Sequence, residues 1–430
     1  MGTSYTTSAQ QFSGRGNISA FGFQQLWSAI ADIGRDPVTG GYRRFAWTQA
    51  DSNMREWFVG ECANRGLDLT EDRMGNQWAW WGDPDRSVED PSTGSGRTSS
   101  GGVVTGSHLD SVPDGGAFDG PLGVVSALLA IDRLRSDGFR PRRPIGVVNF
   151  VDEEGARFGV SCAGSRVITG VLRPERALAL RDADGVTMAE AMRAAGRQPE
   201  RLGPDPEAVA RISSFVELHI EQGRGLIDLG RAVAVGSGLW AHGRWRIEIP
   251  GEANHAGTTR LDDRRDAVIG CARAVLAARA AAEAHDTLAT VGKISIQPGG
   301  VNAIASSATA WLDARAAVEP ALRATLAQIE AEVAASGAVV IEESWTPQTS
   351  FDDALISRLA RLLDRAPVMS TGAGHDAGIL ANAGVPSVMI FVRNPTGASH
   401  TPAEWAEAED CLAGIDALAS VLADLAGADQ

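Results

Sequence analysis

Four cysteines in 430 residues, Cys62, Cys162, Cys271 and Cys411, lie far apart and form no CxxC pair. This excludes a small disulfide scaffold and a thiolate zinc site, and inert buried thiols are expected. Long apolar runs are also missing. The two longest, 123–134 and 267–284, are broken by charge or are alanine-rich and amphipathic, so neither reads as a membrane span. The opening MGTSYTTSAQQFSGRGN has no apolar core of the kind a signal peptide needs, and a cytoplasmic protein is expected. Positive charge is in deficit, with 39 Lys and Arg against 54 Asp and Glu and a formal charge of −15. That argues against a nucleic-acid face while leaving room for a local positive pocket for an anionic substrate. Histidine is scarce too: His108, His219, His242, His255, His285, His375 and His400 are all there are, and most sit in glycine-rich turns.

What is present is ordinary globular material, 44% hydrophobic and 22% charged, in a chain long enough for two domains. Residues 1–15 read as a loose tail. A helical pattern over 21–66 is broken at Gly40-Gly41, and an aromatic stretch follows at 77–81. Residues 101–107 and 145–151 are short buried strands, with a helix over 123–135 behind a Gly/Pro-rich loop. This alternation predicts an α/β sheet with chemical groups at strand ends. From about Leu226 the order changes to strand 245–249, helix 264–284, strands 289–296 and 308–314, helix 319–335 and strand 339–343. That is a four-stranded sheet with two helices on one face. After Pro347, α/β character resumes with helix 353–365, strand 387–391 and helix 403–425. The economical organisation is a small α+β domain, 226–345, inserted between the two parts of a large mixed-sheet α/β domain, 1–225 and 346–430.

Candidate chemistry gathers in a few blocks. In TGSHLDSVPDGGAFDGPLG, His108 ends a strand, Asp110 follows two residues on, and Asp119 lies beyond a turn that permits tight backbone paths. Such a His and carboxylate can hold a divalent cation, with Asp110 taking the proton of the other ring nitrogen. In VVNFVDEEGARFG, an apolar strand runs into Asp152-Glu153-Glu154, an arrangement that needs solvent, cations or partners. One glutamate can bind metal while its neighbour acts as general base, although simple helix capping by acids is the alternative. His219 lies on an alternating stretch in ELHIEQGRGL, and His400 lies in NPTGASHTPAEW before a proline-started helix. Together these residues match the inventory of a bimetallic hydrolase. Arg315 in WLDAR offers a planar fork for a carboxylate, and Gln222, Arg244 and Asn302 can read an amide or ureido group.

The blocks TGSHLDSVPDGGAFDGPLG, VDEEGARFG, ELHIEQG, GEANHAGTT, NAIASSATAWLDAR, GAGHDA and GASHTPAEW resemble the amidase and carbamoylase branch of the M20 metallopeptidase-like superfamily. That branch includes N-carbamoyl-L-amino acid hydrolases, allantoate amidohydrolases and beta-ureidopropionases. The resemblance implies two divalent metals per subunit, zinc or manganese and sometimes cobalt or nickel. One would be held by His108, Asp119 and His219, the other by Asp119, Glu154 and His400. It implies Glu153 as general base activating the water between the metals, Asp110 orienting His108, and Gln222, Arg244, Asn302, Arg315 and Gly374 as substrate-binding positions. It also implies a homodimer in which the inserted domain is the dimerisation domain and supplies His255 in trans.

Three positions depart from the branch. Arg260 and Ala305 stand where proline is usual, and Thr401 stands where Ser or Cys precedes the last proline. None removes a ligand or the base; the shape of the pocket is what they bear on. The Trp78, Trp80, Trp81 run is unusual and is expected to pack in a core or interface. The expected activity is hydrolysis of the carbamoyl C–N bond of a small carboxylate-bearing compound, foremost an N-carbamoyl-L-amino acid, with allantoate as the alternative. An aminoacylase or dipeptidase fits the HIEQG and NHAGTT blocks less well, and a non-catalytic metal-binding protein would not need Glu153.

Overall fold

The structure, a computed structural model, describes residues 20–86, 88, 89 and 98–428, so the tail expected over 1–15 lies outside the described residues. Among the described residues no helix is long and apolar enough to cross a membrane. The chain divides into two compact units. One reaches to Val233 and resumes at Ile390; the other is Ala234–Met389.

In the first unit the strands Ile145–Phe150, Gly102–His108 and Ile212–Ile220 run parallel and side by side. Gln77–Trp81 pairs antiparallel with the first of them, and Asp68–Glu71 lies beyond it. Every residue of Gly102–His108 and Ile145–Phe150 is buried, and all but Ser213 of Ile212–Ile220. Strands covered on both faces are near-continuous apolar runs, which is why the first two are legible in the sequence. For the same reason the alternation around His219 does not separate core from solvent. Helix Pro121–Ser136 joins the first two parallel strands and packs against Ala408–Ala426. It opens with Pro121 in its first turn, where a missing N–H is harmless, behind Gly120 at φ +86°.

Two boundaries differ from expectation. The helical pattern over 21–66 resolves into Ala20–Ile30 and Gln49–Asn64, the second capped by the Thr48 side chain. The last helix begins at Ala408 rather than near 403. Residues 401–403 form a bend and turn instead, and the Glu404 carboxylate accepts the backbone N–H groups of Phe118 and Asp119 at 2.8 and 3.0 Å. The tryptophan run is core: Trp78 and Trp80 are buried and stack at 6.4 Å, and Trp78 donates its indole N–H to Asp72 at 2.9 Å. Trp81 is half-buried beneath the Arg135 guanidinium, 4.8 Å from its ring centre.

The second unit contains an antiparallel sheet in the order Leu288–Gln297, Ser307–Ala316, Ala241–Pro250, Val339–Thr346. Helices Ala267–His285 and Glu319–Ala334 complete the expected strand–helix–strand–strand–helix–strand sequence. Burial alternates strictly along Ser307–Ala316, and Trp245, Ile247, Ile249, Ala310, Leu312 and Ile329 share one core with the helices. A two-residue ladder pairs Asn254–His255 with Ala303–Ile304. Strand Val233–Leu239 pairs with Thr349–Ser350 and Val368–Thr371, and short helices Asp353–Leu362 and Asp376–Asn382 lie nearby in sequence.

Two glycines test this packing in opposite directions. A Cβ at Gly106, which sits at φ +138°, would fall 2.0 Å from the Val148 carbonyl oxygen on the neighbouring strand. Gly60 lies inside helix Gln49–Asn64 with open space around it. Gly106→Ala is expected to cost at least about 2 kcal/mol from clash and strain. Gly60→Ala is expected to gain about 0.4–1 kcal/mol by restricting the unfolded chain. Urea unfolding midpoints of the two variants, at equal slope, check both signs.

Candidate active site

Parallel strands deliver polar groups at their carboxyl ends, where loops leave the sheet. His108 is the last residue of its strand and pairs in register with Phe150, so the Asp152–Glu154 turn emerges beside it. Extending the pairing of Thr105 with Val216 by three residues sets His219 level with His108, and the two rings lie 6.0 Å apart. The histidines are therefore not chiefly turn residues. His108, His219, His242 and His255 lie on strands, and His285 ends a helix. Asp152 adopts a left-handed conformation, φ +54°, which aspartate tolerates better than most residues and which turns the chain out of the strand. Asp110 holds the result in place. Its carboxylate accepts the backbone N–H groups of Glu153 and Glu154 at 3.2 and 3.1 Å, while His108 Nδ1 lies 3.4 Å from its Oδ1.

Asp119 stands at the centre. Its Oδ1 is 3.2 Å from His219 Nε2 and 3.6 Å from His108 Nε2, and its Oδ2 is 3.3 Å from His400 Nε2. Glu154 Oε2 lies 3.6 Å from His400 Nε2, and Glu153 Oε2 lies 3.8 Å from His108 Nε2. Two ligand sets result, His108–Asp119–His219 and Asp119–Glu154–His400, each with donor atoms within 4.8 Å of one another and sharing Asp119. Gly120 is needed for this closeness, since a Cβ there would lie 2.4–2.6 Å from the His108 ring.

Charge follows from the geometry. Burial works against a proton on His108, yet Asp110, Asp119 and Glu153 outweigh it and hold its pKa well above the usual range. His219 is raised in the same way, against burial, by Asp119. His400 reaches about 9, burial again opposing and Asp119 and Glu154 prevailing. Burial would raise Asp119, but the three imidazoles hold it well below the carboxylate range. Glu154 is pushed up to about 7 by burial and by Asp119. Divalent ions would bind these nitrogens and carboxylate oxygens in place of protons. The residues fit such ions. His108 Nε2 and Glu154 Oε1 are buried without a hydrogen-bond partner among the described residues, and an imidazole and carboxylate set suits zinc, manganese, cobalt or nickel.

Gln222 joins this cluster, donating from Nε2 to Asp119 Oδ2 at 2.9 Å and to Ser399 Oγ at 3.1 Å, with Oε1 left as a buried acceptor. The other expected substrate groups lie in the second unit. Arg315 is gripped by Asp313 at 2.7 and 3.1 Å and donates to the Gly372 carbonyl at 2.8 Å. Arg244 lies across the ladder from Asp313, 3.7 Å from its carboxylate and half-exposed. Gly374 has its nearest side-chain neighbour in the His242 ring, at 3.6 Å from a Cβ built there. His255 and Asn302 meet at the two-residue ladder, where Ala256 N–H donates to the Asn302 carbonyl. His255 is exposed and its Nδ1 accepts the Gly257 N–H at 3.0 Å, so a neutral ring carries its proton outward on Nε2. Of the departures, Arg260 is exposed and paired with Asp263 at 2.8 Å, Ala305 is buried, and Thr401 Oγ1 accepts the Ala403 N–H.

Sequence reasoning passed over Glu404, Asp313 and Cys162. Asp313 had a signal, because two residues apart on a strand it shares a face with Arg315. Glu404 had none beyond its place in the His400 block. It is buried, with a pKa pushed up to about 7 by burial and by Asp119. Removing its hold on the Asp119 backbone by Glu404→Ala is expected to weaken metal affinity by roughly 10–100-fold, as loss of outer-shell partners does. Competition with a chromophoric chelator reads that loss directly.

The description peptidase family M20/M25/M40 matches residues 104–424. The chain is 34% identical to the N-carbamoyl-L-amino acid amidohydrolase of Geobacillus stearothermophilus over 411 residues, 92% of this chain and 96% of that one. It is 32% identical to the allantoate amidohydrolase of Escherichia coli K12 over 409 residues, again 92% and 96%. A hydantoinase/carbamoylase family amidase from Burkholderia vietnamiensis shares the fold with a TM-score of 0.82 at 29% identity, covering 95% of this chain and 98% of that chain. The resemblance seen in the sequence blocks and the α/β fold class are both borne out. The chain belongs to peptidase family M20/M25/M40.

Proposed function

We propose that this chain hydrolyses the carbamoyl C–N bond of an N-carbamoyl-L-amino acid, using two divalent metal ions held by ligand sets that share Asp119. It is an amidohydrolase acting on C–N bonds other than peptide bonds. The observation that carries the reading is the shared carboxylate, with Glu153 alongside it. His108, Asp119 and His219 would hold one ion; Asp119, Glu154 and His400 the other. Zinc, manganese, cobalt or nickel suits these donors. Ions bound there supply Lewis-acid polarisation of a carbonyl and lower the pKa of water.

The protein's own groups account for the remaining steps. Glu153 accepts a proton from the attacking water and delivers it to the leaving nitrogen. Asp110 keeps the Glu153–Glu154 turn and the His108 ring in register with each other. Gln222 Oε1 accepts an N–H of the ureido group, and Asn302 reads the same group. Arg244 and Arg315 bind the substrate carboxylate. Because Asp313 already engages Arg315 at two nitrogens, the half-exposed Arg244 carries more of that attraction than composition alone suggests. His255, donating from Nε2, meets the developing oxyanion, and it does so from the partner subunit of a homodimer. The released carbamate falls apart to carbon dioxide and ammonia. The protein works in the cytoplasm, with neither nucleic acid nor membrane as partner. Allantoate is the second reading, since it also presents a carboxylate beside a ureido group and the Escherichia coli relative acts on it by name.

Turnover of metal-loaded protein on N-carbamoyl-L-amino acids, allantoate and N-acyl amino acids decides the substrate; exclusive use of the last would overturn the carbamoyl reading. In the same assay Glu153→Gln is expected to lower kcat by roughly 10²–10⁴ with metal content unchanged. Near-normal kcat would move the base elsewhere, and full activity after proven loss of all metal would end the metal mechanism.

The shared site has its own test. Homodimers of His255→Ala and of Glu153→Gln should each be nearly inactive. If His255 acts in trans, a mixed dimer has one site with both lesions and one with neither. Equal mixing therefore recovers about one quarter of wild-type activity per total site, for unbiased pairing and independent sites. Verified mixed dimers as inactive as either parent would exclude action in trans.

A further inference from the structure

Cys162 reads in the sequence as an inert buried thiol, and it is indeed only 1% exposed. Its surroundings give it more to do. Sγ lies 3.2 Å from Oε1 of Glu153. The backbone is tied to the same turn three times, with Cys162, Ala163 and Gly164 donating their N–H groups to the carbonyls of Glu153, Asp152 and Val151. Cys162 itself is left-handed, φ +53°, at the N-terminus of helix Ala163–Ile168, a conformation uncommon for a residue with a side chain. The turn thus accepts a conformational cost and directs a donor at one glutamate. The other oxygen of that glutamate, Oε2, faces His108 Nε2 at 3.8 Å. One carboxylate oxygen is directed to the thiol, the other to the ligand cluster.

We propose that Cys162 is a positioning residue for Glu153, its S–H donating to Oε1 and holding the carboxylate with Oε2 presented to the ligand cluster. The inference rests on the reading of Glu153 as the general base. The terminal torsion of a glutamate is broad, so the plane of its carboxylate is set by partners rather than by rotamer preference. A thiol is a weak donor, so its contribution is one of orientation and its loss is moderate. Cys162 lies outside the reacting atoms and touches the chemistry through Glu153.

The test compares Cys162→Ala, which removes the donor, with Cys162→Ser, which restores one. Cys162→Ala should lower kcat about tenfold while leaving KM, metal content and melting temperature near wild type, and Cys162→Ser should recover most of the loss. Added to Glu153→Gln, Cys162→Ala should cause no further loss, because its effect passes through that carboxylate. A readout independent of turnover is the S–H stretch of Cys162 in the infrared difference between wild type and Cys162→Ala. It should lie at the low frequency of a thiol bonded to a carboxylate and rise in Glu153→Gln. Should Cys162→Ala fail to accumulate folded, Cys162→Gly, which also lacks the donor and accepts the left-handed conformation without strain, takes its place against Cys162→Ser. Unchanged kcat in the donor-less variant, or an additive loss on top of an impaired Glu153→Gln, would refute the positioning role and leave the base intact. A near-normal Glu153→Gln would remove both.

Discussion

The carboxylate of Asp119 is buried and ionised, and the site depends on meeting the cost of putting charge there. An isolated buried carboxylate is strongly disfavoured, and only close partners make it tenable. Three imidazoles supply them, two on one oxygen and one on the other, with the Gln222 amide beside the second. Glu404 fixes the backbone at Asp119, and Gly120 leaves the His108 ring the room that any side chain would take. The same partners draw the imidazole pKa values upward against the effect of burial. Divalent ions at these groups would supply positive charge that the same lone pairs can share.

Around that centre the backbone does most of the arranging. Parallel strands buried on both faces have no freedom to slip without exposing apolar residues or burying polar ones, so the levels of His108 and His219 are set by sheet register. The two glutamates are set differently. A left-handed Asp152 turns the chain, Asp110 takes both following N–H groups, and the Cys162–Gly164 turn ties the carbonyls. Loop residues gain in this way a rigidity that otherwise belongs to strands, which is what the proposed base and ligand, adjacent in sequence, would require.

The second unit handles charge by a different rule. Asp313 partly neutralises Arg315 and stands close to Arg244, so the guanidinium groups there are tempered rather than bare. Any anion approaching them would compete with Asp313.

The sequence by itself determined the strand and helix order of the small sheet, the buried strands that carry His108 and precede Glu153, and the residue types of the candidate ligands. Each of these rests on local periodicity or on a short block. The tryptophan run needed the structure to show it as core, because alternation cannot separate a core face from an interface. Only the tertiary structure decided which groups meet across distance. Phe118 and Glu404 are 286 positions apart, and the value of Glu404 lies in two backbone N–H groups that no local pattern marks. The same holds for Cys162, a residue whose composition predicts burial and whose chemistry comes from the left-handed turn that points it at Glu153. Hydrophobic pattern is written along the chain, whereas hydrogen-bond partnership depends on positions a few tenths of an ångström apart that exist only after the chain has folded.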